Sequence, residues 1–98
     1  MNCEKLIHIR RNAEDLMLID IRETYEYEEL NIGGIHIPMG DVLNRLDEIP
    51  KDKPVVIHCQ SGARGQKLTQ VLHHMGYHNV SNLEGGLERY LELMKELA

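Results

Sequence analysis

The sequence contains no phenylalanine and no tryptophan, and four tyrosines are its only aromatic residues. Its core must therefore rest on Leu, Ile, Val and Met, enough for one small core with a limited reserve of stability. Cysteine is scarce, with Cys3 and Cys59 alone. A disulfide framework normally needs more cysteines and an oxidising compartment, and without a C-x-x-C pair neither a zinc knuckle nor a thioredoxin-type dithiol is on offer. Basic blocks are missing too. The one adjacent Lys/Arg pair is Arg10-Arg11 and the formal net charge is −5, which excludes a nucleic-acid partner and leaves that pair as a solvated helix face. No apolar run approaches the ~18 residues that span a bilayer. Met1-Asn2-Cys3-Glu4-Lys5 lacks the basic-then-apolar order of a secretory leader, so a cytoplasmic location without membrane attachment is expected. Repeats, low-complexity tracts and long linkers are absent as well, and 98 residues fit one domain, 1–98.

What remains is a chain with 42% hydrophobic and 28% charged residues, an ordinary globular balance. Glu4 to Asn12 reads as a helix, although Leu6, Ile7 and Ile9 also fit a short strand. Met17 to Ile21, broken only by Asp20, has the pattern of a buried strand. Glu23 to Leu30 is a short acidic helix or turn, and Gly33-Gly34 and Pro38 then exclude a long regular element. Asp41 is placed to cap a helix with Val42, Leu43 and Leu46 inside, and Val55 to His58 is a second buried strand. Arg64 to Met75 carries Leu68, Val71, Leu72 and Met75 at the spacing of a core-facing helix, with Gly76 to stop it. Asn79 to Leu83 gives a short strand. A last helix presents Leu87, Tyr90, Leu91, Met94 and Leu97. Strands buried on both faces and alternating with helices imply an α/β fold with a parallel sheet. Ligands of such sheets bind beyond the carboxyl ends of the strands, where Cys59 falls.

Cys59-Gln60-Ser61-Gly62-Ala63-Arg64 joins the second strand to the helix after it. The helix start offers unpaired N–H groups and the positive end of its dipole, and successive N–H groups of a tight loop form a nest for an anion. Both favour an anionic, reachable sulfur. Gly62 permits a positive φ or a close approach, Ser61 supplies a hydroxyl, Ala63 adds no obstruction, and Arg64 is expected to close the loop with a fixed cation. The plain alternative is that Cys59 packs as a small hydrophobe, as most free cysteines do.

This loop resembles the active-site loop of rhodanese domains. Two flanking segments are similar to other motifs of that family. One is Leu18-Ile19-Asp20-Ile21-Arg22-Glu23, with Glu26-Tyr27 and Ile32-Gly33-Gly34-Ile35-His36-Ile37-Pro38; the other is Val80-Ser81-Asn82-Leu83-Glu84-Gly85-Gly86, with Tyr90 where relatives place Trp. Ile32 to Pro38 is one residue shorter than the common form, and Gly65 stands where many relatives place Ser. The resemblance implies a three-layer fold with a small central parallel sheet flanked by helices. It also implies a sulfurtransferase that uses no cofactor or metal. Cys59 would take the outer sulfur of thiosulfate or another persulfide, and the loop from Gln60 to Arg64 would hold it. A thiol, cyanide or protein acceptor would then remove it, a covalent relay that predicts ping-pong kinetics. Asp20 and Arg22 would organise the site from beneath.

Two other readings stay open: a rhodanese-fold interaction or sulfur-carrier module without turnover, and a phosphatase or arsenate reductase. The second is disfavoured because those enzymes resemble a wider cysteine-to-arginine ring. The histidines His8, His36, His58, His73, His74 and His78 fall on different elements and are expected to be surface or satisfied residues rather than ligands. His58 should point away from Cys59, on the opposite face of its strand. Cys3 is expected at a fraying terminus. The pattern leaves oligomeric state open, and a monomer suffices.

Overall fold

The computed structural model describes residues Met1–Ala98. Helix α1 spans Cys3–Arg11, because the Asn2 side chain accepts the Lys5 N–H at 2.8 Å and so satisfies one of the free amides of the first turn. Cys3, Leu6 and Ile7 form its buried face, which settles the helix against the strand alternative. Strand β1 (Met17–Asp20) follows, then α2 (Thr24–Glu29), β2 (Ile35–His36), β3 (Val55–His58), α3 (Ala63–His74), β4 (Val80–Asn82) and α4 (Gly86–Glu96). All strands are parallel, in the order β2-β1-β3-β4, with Ile19 opposite Ile35 and Ile57, and Ile57 opposite Asn82. The segment after Gly34 thus holds a two-residue strand where the glycines and Pro38 suggest irregular chain. Pairing at Ile35 and His36 is all that β1 demands of it.

Alternation along the strands divides the core in two. Ile19, Ile21, Val55, Ile57 and Cys59 face a cluster closed by Leu68 and Leu72 of α3 and by Val42 and Ile49. Leu18 and Val56 face the other way, against Leu6 and Ile7 of α1 and Tyr90 and Leu93 of α4. The result is three layers, helix-sheet-helix, as the resemblance implies. No helix is long and apolar enough to cross a membrane.

Three helical faces differ from the expected stripes. Between Pro38 and Pro50 the chain forms two 3-10 helices, Met39–Asn44 and Leu46–Glu48, and Asp41 lies inside the first rather than capping an α-helix. Threefold periodicity turns Leu43 outward, 52% exposed, and leaves Val42 as the buried residue. In α3 the buried line is Gly65, Leu68, Thr69 and Leu72, while Val71 and Met75 are exposed. Gly65 sets that rotation. A Cβ there would stand 2.1 Å from the Asn82 Oδ1 atom of β4, so the glycine faces the sheet and the leucines follow it. In α4 the buried residues are Leu87, Tyr90 and Leu93. Met94 and Leu97 are exposed because the cluster beneath ends at Leu93.

Candidate active site

Cys59 leaves β3 on the α3 side of the sheet, in line with Ile57. The Gly62 N–H points at its Sγ from 3.1 Å and the Gly65 N–H from 3.4 Å. Gly62 is the N-cap residue of α3, in the left-handed conformation at φ 102°, and has no side chain to cap with. The sulfur does the capping instead. It accepts from the cap residue and from the third residue of the helix, where an oxygen side chain ordinarily sits. Gly65 contributes a backbone donor, and Asn82 explains why nothing larger fits there.

The amides point inward because the carbonyls are held outward. Cys59 O accepts from Leu87 N at 2.9 Å and Gln60 O from Glu88 N at 3.1 Å. These donors are free N–H groups of the first turn of α4, so one helix terminus is satisfied by the loop and the loop is oriented by it. Gly86 makes the approach feasible. A Cβ on it would lie 2.7 Å from both carbonyl oxygens. Gly62 is packed less tightly, with the Gly85 nitrogen 3.2 Å from where its Cβ would be.

Two expectations about the loop need correction. The sulfur is not openly reachable, since Cys59 is 0% exposed. It is nevertheless not an inert apolar cysteine, because two amides are directed at it. Nor is Arg64 an unpaired cation at the loop. Its guanidinium turns to α2, with Nη1 3.3 Å from Glu26 Oε1 and Nη2 3.5 Å from Oε2. Glu26 is fixed on its own side by a capping box with Glu23, whose N–H donates to Glu26 Oε1 at 2.9 Å. Burial tends to raise the Glu26 pKa, but the Glu23 amide and Arg64 outweigh it and hold the carboxyl below its ordinary range. The Glu23-x-x-Glu26 spacing was the available sequence signal for this residue. The rest depends on a contact between α2 and α3 that no local pattern records.

Asp20 and Arg22 lie on the opposite face of the sheet from the sulfur. Asp20 is 0% exposed and takes Arg22 Nε at 3.0 Å, Nη2 at 2.8 Å and the Arg22 amide at 3.0 Å, while Nη2 also reaches Leu30 O at 2.6 Å. Burial pushes the Asp20 carboxyl up, yet the Arg22 hydrogen bonds prevail and its pKa is lowered. The pair fastens the β1 terminus to the end of α2 and does not touch Sγ. His58 does face away from Cys59, but it is neither a surface nor a satisfied histidine. It is fully buried, its ring nitrogens have no hydrogen-bond partner, and Nε2 is 3.7 Å from Asp20 Oδ2, whose lone pairs Arg22 occupies. Burial lowers its pKa despite the attraction of Asp20. Cys3 is likewise not frayed: its thiol is buried against Glu84 O at 3.4 Å, and Met1 bonds to Asn82 O at the end of β4 and to Glu84 N just beyond it.

Two cavities flank the loop. One of about 340 Å³ is lined by Arg22, Tyr25, Glu26, Glu29, Leu30 and Gln60, beyond the carboxyl ends of β1 and β3. A larger one, about 660 Å³, touches Ser61, Gly62 and Ala63 on the other side of the loop and runs from Asn82 and Gly85 along α3 and β4 to His73 and Val80.

A lone cysteine held by amides at a strand-to-helix loop of a parallel sheet defines a class of α/β domains built around one sulfur. The comparisons identify the family within that class. The Rhodanese-like domain matches residues 4–93, and the chain belongs to that family. It is 39% identical to a sulfurtransferase of Allochromatium vinosum over 89% of this chain and 82% of that protein. It is 31% identical to the thiosulfate sulfurtransferase GlpE of Coxiella burnetii, over 78% of this chain and 72% of that one. Among solved structures, Bacillus anthracis CoADR-RHD is similar with a TM-score of 0.85 and 35% identity, over 98% of this chain and 17% of that one.

Proposed function

We propose that this domain is a sulfurtransferase that carries sulfane sulfur as a persulfide on Cys59. The observation that supports it most directly is the pair of amides, Gly62 N–H and Gly65 N–H, directed at Sγ while the loop carbonyls are engaged by α4. Preorganised donors of this kind stabilise negative charge on a buried atom without reorganising during reaction. In the first half-reaction the Cys59 thiolate bonds to the outer sulfur of thiosulfate, the S–S bond to the sulfonate sulfur breaks, and sulfite departs with that electron pair. A persulfide donor leaves its thiolate in the same way. In the second half-reaction a thiolate or cyanide attacks the outer sulfur, and the Cys59 thiolate is the leaving group.

The smaller cavity is the entrance in this reading, because Gln60 adjoins Cys59 and the cavity lies past the carboxyl ends of the strands. As the sulfur is buried, loading requires its surroundings to yield. The test is intact mass after incubation with thiosulfate or a persulfide, together with cyanide-dependent turnover. The expected result is the gain of one sulfur atom, kept in Cys3→Ala and lost in Cys59→Ala. No gain with either donor would overturn the proposal and favour an interaction module.

A further inference from the structure

The loop carries one cation, and it is already spent. Arg64 faces Glu26 through both ends of its guanidinium, and Glu26 is locked in place by the α2 capping box, so the pair is not a casual surface contact. The arginine that lines the entrance, Arg22, is consumed by Asp20 and Leu30 O. Glu29 lines the same cavity, and neither arginine bonds to it. An incoming donor therefore meets an entrance whose positive charges are neutralised and whose remaining charge is negative.

Resting on the sulfurtransferase reading, we propose that Glu26 is a donor-selecting residue: by pairing with Arg64 and neutralising its charge beside the loop, it disfavours doubly charged donors and selects thiol-borne sulfur. Thiosulfate brings two negative charges to the entrance, whereas the sulfur pair of a persulfide brings at most one. The same chemistry of attack serves both, so discrimination falls to electrostatics. Glu26 acts through Arg64 and the local field rather than by touching the reacting atoms, which makes it a positioning residue. Neutralising it frees a guanidinium beside the loop. Its carbon skeleton and capping acceptor can be retained, because glutamine still accepts the Glu23 amide.

The size of the effect follows from Coulomb's law. For a charge removed about 8 Å away at an effective dielectric of about 60, a dianion gains about ten-fold and a monoanion about three-fold. Glu26→Gln should thus raise kcat/KM for thiosulfate about ten-fold while raising it about three-fold for a small uncharged thiol's persulfide. Their ratio shifts about three-fold, and the shift shrinks as salt is added. Adding Arg64→Gln should erase most of the gain, because the freed guanidinium carries it. Glu29→Gln, which leaves the Arg64 pair intact, supplies a second test: it should shift the ratio in the same direction through charge alone. If Glu26 merely props up α2, both donors lose activity together and the ratio stays fixed, which overturns the inference. A ratio that moves toward the persulfide overturns it too. Sulfur that never loads onto Cys59 from either donor instead overturns the underlying reading, so the two failures are distinguishable.

Discussion

Replacing Gly86 with alanine tests whether α4 orients the sulfur loop. The new Cβ would sit 2.7 Å from the carbonyl oxygens of Cys59 and Gln60, well inside the roughly 3.3–3.6 Å of ordinary C···O contacts. Both neighbours are backbone, so relief means moving the loop and breaking the bonds from Leu87 N and Glu88 N. Two such bonds are worth about 1 kcal/mol each. The left-handed backbone at φ 61° costs alanine about a further 1 kcal/mol. A loss of about 3 kcal/mol is a large share of the roughly 5–15 kcal/mol that a domain has. Gly40→Ala is the matched control, since nothing lies within 4 Å of its Cβ position and it should be neutral or slightly stabilising. Urea unfolding followed by circular dichroism reads both, and sulfur loading of Cys59 should fall in Gly86→Ala alone. If Gly86→Ala stays within about 1 kcal/mol of the parent, the loop is not held by that helix terminus.

Asp20→Asn should cost about 3–5 kcal/mol by leaving the Arg22 guanidinium buried and unpaired, whereas Asp15→Asn, at the exposed Lys53 pair, should change urea unfolding by less than about 1 kcal/mol; equal effects would refute this assignment. Because burial lowers the His58 pKa, the unfolded chain takes up a proton before the folded one does. Its stabilising contribution is full above about pH 6.5 and is lost as pH falls below that. Thermal melts of His58→Leu should show a flatter dependence between pH 7 and 5.5 than the parent, and an unchanged slope counts against it. Gly65→Ala and Asn82→Ala should be strongly non-additive, the double variant being more stable than Gly65→Ala alone; simple additivity would exclude the Gly65–Asn82 contact as the constraint.

The strands with continuous apolar runs, Met17–Asp20 and Val55–His58, were legible because burial on both faces leaves that imprint on sequence. So was the position of Cys59 at a strand end before a helix. β2 was not, since two residues bordered by glycine and proline carry no periodic signal and pair only because β1 is beside them. The face of α3 was rotated by a single contact, Gly65 on Asn82, which side-chain spacing does not encode. The same limit applies to Arg64. Its charge suggested an anion-holding role, but a glutamate far away in the chain had already claimed it.

Both borders of the sheet are blunted. On the β4 side, His73 Nε2 occupies Val80 O at 2.7 Å, and Met1 takes Asn82 O and Glu84 N. The β2 side offers two residues before Pro38. Strangers cannot zip onto such margins by adding main-chain ladders, which guards crowded copies against stacking into fibres and leaves the loop-bearing end as the natural place for another molecule to approach.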